Sequence, residues 1–246
     1  MLLMKNLADQ YTQDYFKELE KADQVEYPRN ARILDLIQDY IKSGSLLDIG
    51  VGTGLFMEIA IQRGFEVSGL DVSDYAIKEV AKRLKIKSNK KLVVSELQST
   101  TFPSQSFDVV NLRHSIEHVT DPAKLLKQVF RVLKPGGMVS IATPNSYGWH
   151  AKIYQNLWPH WSVPYHIQFF SKQSLKDIVD KAGFKIVVFK TEELTNYDLF
   201  RAFLKRIGIP INYNRATLLT KIVNNFLAQI GQGEGLLVLA KKPYEK

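Results

Sequence analysis

Short apolar runs alternate with longer amphipathic stretches from residue 45 to about residue 143. The runs at 46–49 and 107–112 have the length of buried strands, whereas the stretches between the runs repeat apolar residues at helical spacing. In residues 123–133, for example, the apolar positions fall on one face of a helix. This alternation predicts βαβ units and a parallel sheet, which defines an α/β fold class.

The remainder of the chain follows this rhythm less closely. Residues 145–170 interrupt it and contain all three tryptophans. The spacing beyond them predicts a helix over 171–182, a strand over 184–189, amphipathic helices over 197–207 and 216–230, and a closing strand over 236–240.

The same pattern indicates how the chain is organised. Residues 1–44 are predicted to form two helices, which we treat as an N-terminal helical cap. The main domain then covers 45–246, with an aromatic insertion at 145–170 and a helical insertion at 195–232. The apolar face of that helical insertion packs either on the domain or on a second subunit, so a homodimer stays open. A surface that receives a lipid-like acceptor is the alternative that we favour less.

Charge and composition narrow the class of partner. The net charge is +8, but the densest basic run, at residues 82–91, has no interleaved aromatic side chains that could stack on bases. We therefore expect no nucleic-acid partner. The absence of cysteine excludes disulfides and thiolate metal sites and fits a cytoplasmic location. No stretch approaches the roughly 18 apolar residues of a transmembrane segment, and the N-terminus lacks the apolar core of a signal peptide.

A glycine-rich turn follows the first predicted strand, with glycines at 50, 52 and 54. Glycine tolerates positive φ and lets backbone N–H groups approach a ligand, while the next helix N-terminus favours an anionic group. Asp71 ends the second predicted strand at the offset where a carboxylate reaches ribose hydroxyls. These features predict a nucleotide-bearing cofactor. Leu55 stands where the dinucleotide fingerprint has its last glycine.

Four ordered motifs resemble those of class I S-adenosylmethionine-dependent methyltransferases. They are Asp-Ile-Gly-Val-Gly-Thr-Gly at 48–54, Gly-Leu-Asp-Val-Ser at 69–73, Phe-Asp-Val-Val at 107–110 continuing to Ile-Glu-His-Val at 116–119, and Leu-Lys-Pro-Gly-Gly at 133–137. The stretch 166–183 is similar to small-molecule methyltransferases of the ubiquinone-biosynthesis and natural-product type. The resemblance implies a Rossmann-like, open, mostly parallel seven-stranded sheet flanked by helices, with its last strand antiparallel and helical insertions as a cap.

The resemblance also implies a cofactor, S-adenosyl-L-methionine, and residues that hold it. The glycines would line its methionine and ribose part, Asp71 would accept from both ribose hydroxyls, and Val72 would pack on the adenine. This chain departs from the family at 95–97, where Ser-Glu-Leu replaces the usual Gly-Asp-Ala. The full set of cofactor-binding candidates is Asp48, Gly50, Gly52, Gly54, Asp71, Val72, Glu96, Leu97, Leu112 and Arg113.

Methyl transfer from a sulfonium is an in-line displacement, so positioning two reactants supplies much of the catalysis. A hydroxyl acceptor would benefit from a base, and we predict His166 first and His114 second, with a structural role for His118. The aromatic insertion either forms a small auxiliary core or lines an acceptor pocket. The pocket candidates are Tyr147, Trp149, Trp158, Trp161 and Tyr165. No compact group of carboxylates and histidines stands out in the sequence, so we predict no metal.

The predicted function is therefore methyl transfer, by O- or C-methylation, to a small-molecule, glycan or lipid-precursor acceptor. Two alternatives stay open at this point. An NAD(P)-dependent oxidoreductase would share the glycine turn and Asp71, although the predicted final antiparallel strands count against it. A non-catalytic S-adenosylmethionine-binding protein would share every cofactor residue, because activity depends on an acceptor site that the motifs do not define.

Overall fold

The computed structural model describes residues 13–86, 91–96, 102–193, 208 and 213–244 of the 246-residue chain. Within them, the strands are β1 (Gly44–Ile49), β2 (Phe65–Asp71), β3 (Leu92–Val94), β4 (Phe107–Arg113), β5 (Leu133–Pro144), β6 (Lys185–Glu192) and β7 (Gly235–Lys241). They form one seven-stranded sheet in the order β3-β2-β1-β4-β5-β7-β6.

Helices connect and cover these strands. They are α1 (Gln13–Gln38), α2 (Leu55–Gln62), α3 (Asp74–Leu84), α4 (Pro122–Val132), α5 (Trp149–Tyr154), α6 (Lys172–Lys181) and α7 (Tyr213–Gln229), with 3₁₀ turns at Ile116–His118 and Gln155–Leu157. Local signals set several of these boundaries. The Ser73 hydroxyl accepts from the backbone N–H of Ala76 and so caps α3, and Asp121 and Pro122 begin α4.

The strand directions confirm the expected architecture. β1 pairs in parallel with β2 and β4, β2 with β3, and β4 with β5. β7 alone runs the other way, antiparallel to both β5 and β6. The strand order reverses between β1 and β4. A crevice therefore opens at the carboxyl ends of these two strands, the position where open α/β sheets bind ligands.

Two hydrophobic layers sandwich the sheet. On one face, α1, α2 and α3 pack over residues that include Leu46, Val67 and Val109. On the other face, α4 and α6 cover residues that include Leu47 and Val110. Because the central strands are buried on both sides, they read as continuous apolar runs in the sequence. The apolar runs at 46–49 and 107–112 therefore predict β1 and β4 correctly.

The N-terminal region differs from its prediction as two helices. Within the described residues it forms one helix, α1, which continues through Pro28. Proline removes a helical hydrogen bond. The residues that follow it nevertheless stay helical, because Ile33, Leu34 and Ile37 are fully buried in the same layer as α2. The proposed boundary at residue 44 stays a prediction, although α1 shares the core of the main domain.

One strand boundary is unexpected for its residues. Proline and glycine usually stop a helix and form a turn, but β5 begins at Leu133, so the Pro-Gly-Gly segment at 135–137 lies inside the strand, with Gly136 at φ 78°. The predicted helix at 197–207 lies outside the described residues, and its partner at 216–230 corresponds to α7. Among the described helices, none is both long and apolar enough to cross a membrane.

Candidate active site

The glycine turn between β1 and α2 has three positive φ angles, 79° at Gly50, 51° at Gly52 and 79° at Gly54. A Cβ at Gly50 would stand 3.1 Å from Ser115, and one at Gly54 would stand 3.0 Å from Val80. At Gly52, in contrast, a Cβ would meet no atom within 4 Å. The turn is thus packed at its two ends and open in the middle, where a ligand can approach the backbone.

Asp71 stands beside that open position at the end of β2. Its Oδ1 accepts from the backbone N–H of Ser73 at 2.9 Å, and its Oδ2 lies 3.4 Å from the Gly52 nitrogen. The side chain is 8% exposed, and burial raises the pKa of the carboxyl against the lowering effect of the N–H groups of Ser73, Gly52 and Val72. The carboxylate is therefore oriented by backbone donors, with lone pairs left for hydroxyl donors on a ligand.

Asp48 has a different environment, although it belongs to the same motif. It is 2% exposed, and its Oδ1 accepts from the Asn111 side-chain nitrogen at 2.7 Å. Burial raises the pKa of Asp48 to about 7, although the Asn111 hydrogen bond opposes this shift. The pair links β1 to β4 below the crevice. The geometry makes Asp48 a support for the turn, since little of its surface reaches solvent.

Helix α1 crosses the outside of the turn. Thr53 donates to Asp23 of α1 at 2.8 Å, and Arg83 of α3 forms ion pairs of 2.6 Å with Asp23 and with Glu58 of α2. A shallow pocket between α1 and α3 reaches Gly52 and Thr53. The N-terminal helix therefore forms one wall of the crevice at the glycine turn.

The remaining predicted cofactor residues lie in varied surroundings. Val72 is half-buried directly after Asp71, and Glu96 is exposed after β3. The Leu112 side chain is fully buried in the hydrophobic layer, so only its backbone can border the crevice. Arg113 forms an ion pair with Glu26 of α1. Leu97 lies outside the described residues.

Beyond β4, His114 and Glu117 form a hydrogen-bonded pair. His114 has the uncommon φ of 49°, and its Nδ1 lies 3.2 Å from Glu117 Oε1. The other carboxylate oxygen of Glu117 accepts from the Thr143 hydroxyl at 2.9 Å. Burial opposes ionisation of Glu117, but the hydrogen bond and charge of His114 and the charge of His118 lower its pKa to about 2. An ionised carboxylate is thus held next to an imidazole at the carboxyl edge of the sheet.

His118 and His166 meet next to this pair. Their rings stand edge to face with centroids 4.8 Å apart. The Nδ1 of His118 lies 2.8 Å from the carbonyl oxygen of Tyr165, and the Nδ1 of His166 lies 2.9 Å from that of His160. Burial lowers the pKa of His166 and lowers that of His160 to about 3. The fold therefore brings both predicted bases to one place, about the buried Glu117.

The five aromatic candidates for an acceptor pocket separate into two groups. Trp158 is 2% exposed and packs with Tyr154 in a small core of its own. Tyr147, Trp149, Trp161 and Tyr165 are all exposed, between 39% and 61%. Trp161 still contacts Trp158, with ring centroids 4.9 Å apart. The auxiliary core that we considered for this insertion is present, and the exposed rings surround it.

Sequence reasoning missed two acids that organise this region. Glu234, the residue before β7, accepts from the indole nitrogen of Trp158 at 3.0 Å, and burial raises its pKa to about 7. Glu117 belongs to the Ile-Glu-His-Val motif at 116–119, but the sequence analysis predicts no role for it. A signal existed for Glu234, because it directly precedes the apolar run at 235–240 and an acidic residue there is expected to be buried with a partner. The polar neighbours of Glu117 give no such signal. The partners themselves lie far away in the sequence.

The comparison with known families decides the classification. A methyltransferase-domain profile matches residues 20–188. This range includes the glycine turn, Asp71 and the four histidines around Glu117, which we call the histidine cluster: His114, His118, His160 and His166. The chain belongs to this methyltransferase-domain family. The match starts inside α1 and ends inside β6, so the family covers both the cofactor crevice and the aromatic insertion.

Individual relatives agree with this classification. A ubiquinone biosynthesis O-methyltransferase from Idiomarina loihiensis is 32% identical over 133 residues, 53% of this chain and 53% of that protein. Phosphoethanolamine N-methyltransferase 2 from Caenorhabditis elegans is 30% identical over 200 residues, 79% of this chain and 44% of that protein. The chain thus spans about half the length of these curated relatives.

The solved structures extend the similarity in fold. A crystal structure of an S-adenosylmethionine-dependent methyltransferase from Archaeoglobus fulgidus superposes with a TM-score of 0.64 at 22% identity. The superposition covers 93% of this chain and 99% of the other. The similarity is one of fold, and together with the mostly parallel sheet and antiparallel β7 of this chain it confirms the fold that the resemblance implies.

Proposed function

We propose that this chain binds S-adenosyl-L-methionine in the crevice between β1 and β4 and transfers its methyl group to a small-molecule acceptor. The observation that carries the proposal is the open glycine turn with Asp71 beside it, in a chain of the methyltransferase-domain family. Hydroxyls of the cofactor ribose would donate to Asp71. The methionine carboxylate would lie near the glycine turn and the N-terminus of α2.

This placement directs the reactive methyl group toward the end of β4. The backbone of residues 112–114 would lie beneath the sulfonium, with Arg113 held by Glu26 to one side. Val72 would border the adenine, and Glu96 and Leu97 are retained as further candidates on that side. Asp48 would act through the turn that it supports.

The acceptor side would be lined by the exposed rings around the Trp158 core, namely Tyr147, Trp149, Trp161 and Tyr165.

We propose O-methylation as the reaction, with His114 as the better placed of the two predicted bases. Its Nδ1 faces the ionised Glu117, which stabilises the imidazolium formed when Nε2 takes the acceptor proton. The acceptor oxygen then forms a bond to the methyl carbon as the carbon–sulfur bond breaks and its electron pair returns to sulfur. His166 stays the second candidate, because burial lowers its pKa.

The relatives support a small molecule but leave its nucleophile open. The O-methyltransferase supports oxygen, whereas the N-methyltransferase covers more of this chain. A nitrogen atom is thus the second candidate for the nucleophile of the acceptor. The first candidate, a hydroxyl oxygen, includes the hydroxyl of a glycan or lipid precursor. The antiparallel β7 does not favour the oxidoreductase alternative. A non-catalytic role would leave the histidine cluster without a purpose.

The test is methyl transfer from isotope-labelled S-adenosylmethionine to a panel of phenols, sugar alcohols, lipid-linked alcohols and amines, with S-adenosylhomocysteine measured as the product. We expect turnover with a hydroxyl compound and a fall of about 10²–10⁴-fold in kcat for His114→Gln. His150→Gln is the matched control, because His150 is buried with its Nε2 2.8 Å from Asn224 Oδ1 and is neither a predicted base nor a partner of Glu117 in the contacts described above. Turnover with amines alone would mean that the nucleophile of the acceptor is nitrogen and not oxygen. No turnover with bound cofactor would favour the non-catalytic alternative.

A further inference from the structure

Three side chains beside the proposed acceptor site have the composition of a metal-binding group. Candidate ligand atoms of Glu117, His118 and His166 all lie within 4.8 Å of one another. Ligand atoms around one ion at 2.0–2.2 Å stand about 3–4 Å apart, so small side-chain rotations would close the group. We propose that Glu117, His118 and His166 bind one divalent transition-metal ion, for which Zn²⁺ is the best fit.

The histidine tautomers support this proposal. A backbone carbonyl oxygen only accepts hydrogen bonds, so Nδ1 must carry the proton in both His118 and His166. In each neutral ring Nε2 then carries the lone pair that a metal ion can use. Metal-binding histidines commonly donate their other N–H to a carbonyl or carboxylate in this way, which fixes the ring and its tautomer. Two neighbouring rings share this arrangement here.

The carboxylate is oriented by its own partners. Glu117 accepts from Thr143 at Oε2 and faces His114 at Oε1, yet each oxygen retains a second lone pair. The backbone also ties the two halves of the group together. The N–H groups of Ile167 and Gln168, directly after His166, both donate to the Glu117 carbonyl at 3.0 Å. The 3₁₀ turn and the insertion are therefore held in register before any ion binds.

The ligand types select the ion. Two imidazoles and one carboxylate match the three-ligand set of catalytic zinc sites, which keep a further position for water or substrate. Mg²⁺ and Ca²⁺ prefer sites built from oxygen alone. The sequence led us to expect no metal, because His166 is distant from the Glu117-His118 pair along the chain. The fold assembles the group by placing the insertion against the 3₁₀ turn.

The role of the ion rests on the proposed function, whereas its binding does not. An acceptor hydroxyl in the remaining coordination position would lose its proton more readily, since a bound cation lowers the pKa of a coordinated O–H group. The proton would pass to His114 or to water. The oxygen lone pair then attacks the methyl carbon, and the sulfonium leaves as a neutral thioether. His166 would serve as a ligand, which leaves His114 as the base.

The experiment titrates the full chain, without a histidine tag and after chelator treatment, with Zn²⁺ by calorimetry and with Co²⁺ by visible absorption. We expect one ion per chain and a tenfold or greater loss of affinity in His118→Ala and in His166→Ala. His150→Gln is the matched control and should bind like the wild type. Because a variant could lose its fold, each one is also titrated with S-adenosylmethionine, whose proposed ligands include neither histidine.

The outcomes separate the two proposals. The metal site would be overturned if both alanine variants bound the ion as tightly as the wild type does. It would also be overturned if the wild type bound no more ion than a chain that carries both substitutions. Metal binding without cofactor binding would contradict the proposed function and leave the site in place. Loss of both ligands in a single variant indicates unfolding, and His118→Gln and His166→Gln then replace the alanine variants. The same two criteria apply to them.

Discussion

The crevice between β1 and β4 and the proposed acceptor side of this protein are built in different ways. The crevice is formed mainly by backbone: three glycines with positive φ, and a carboxylate oriented by N–H groups of the next turn. The acceptor side is formed by side chains that converge from the 3₁₀ turn, β5, the aromatic insertion and the start of β7. The first design depends on local sequence, whereas the second depends on tertiary packing.

The largest expected effect on stability is on the crevice side, at Gly69 of β2. A Cβ there would lie 2.5 Å from Val51 Cγ1 and 2.9 Å from Met57 Sδ. We expect Gly69→Val to reduce the free energy of unfolding by about 3 kcal/mol, since inserted volume has no room in a packed core. Urea denaturation followed by circular dichroism measures this change.

Gly52→Ala is the matched control for that substitution. It adds one methyl group where nothing lies within 4 Å, although the φ of 51° costs about 1 kcal/mol. The variant should fold and should lose affinity for the cofactor, because the methyl group enters the open space. Equal stability losses in the two variants would contradict the distinction between the packed Gly69 in β2 and the open Gly52 in the turn.

A smaller effect, with the opposite sign, is expected at Glu234 on the acceptor side. Burial raises its pKa to about 7 in the folded state, so wild-type stability falls as pH rises from about 4.5 through 7. Glutamine does not titrate and keeps the oxygen that accepts from Trp158. Glu234→Gln should therefore gain stability relative to the wild type across that window, by about 2–3 kcal/mol at pH 8.

Urea titrations of both proteins at pH 4.5, 6 and 8 check this expectation. Asp48 also has a raised pKa, but it titrates in both proteins, so the difference between them isolates Glu234. A difference that stays constant with pH would show that Glu234 is ionised in the folded protein. The acceptor side would then contain a buried charge that its partners stabilise.

The smallest effect is expected at Ser73, which caps α3 on the cofactor side. Its hydroxyl accepts from the Ala76 N–H at 3.3 Å, and its own N–H donates to Asp71. Ser73→Ala should cost about 1 kcal/mol of stability, the usual value for a lost N-cap. The backbone N–H is retained, so cofactor affinity should change less than twofold. A larger loss in calorimetry would mean that the cap itself positions Asp71.

The contrast between the two regions also explains what the sequence could predict. The alternation of strands and helices and the glycine turn follow from periodicity and short motifs, which act locally, and the antiparallel β7 follows from the family resemblance that the motifs carry. Local patterns do not predict three other features: the buried side chain of Leu112, the course of α1 through Pro28 and the contacts around Glu117. Each of these depends on which distant segment packs against it. Trp158 shows this clearly, because its role depends on Glu234, which lies 76 positions later in the chain.

The central claim is that the crevice beside Asp71 binds S-adenosylmethionine. Calorimetric titration of the wild type and of Asp71→Ala, with S-adenosylmethionine and separately with NADH, tests it most directly. The account predicts one bound S-adenosylmethionine per chain, no binding of NADH, and at least about a tenfold loss of affinity in Asp71→Ala from missing charge-assisted hydrogen bonds. Binding of NADH without S-adenosylmethionine, or unchanged affinity in a folded Asp71→Ala variant, would contradict it.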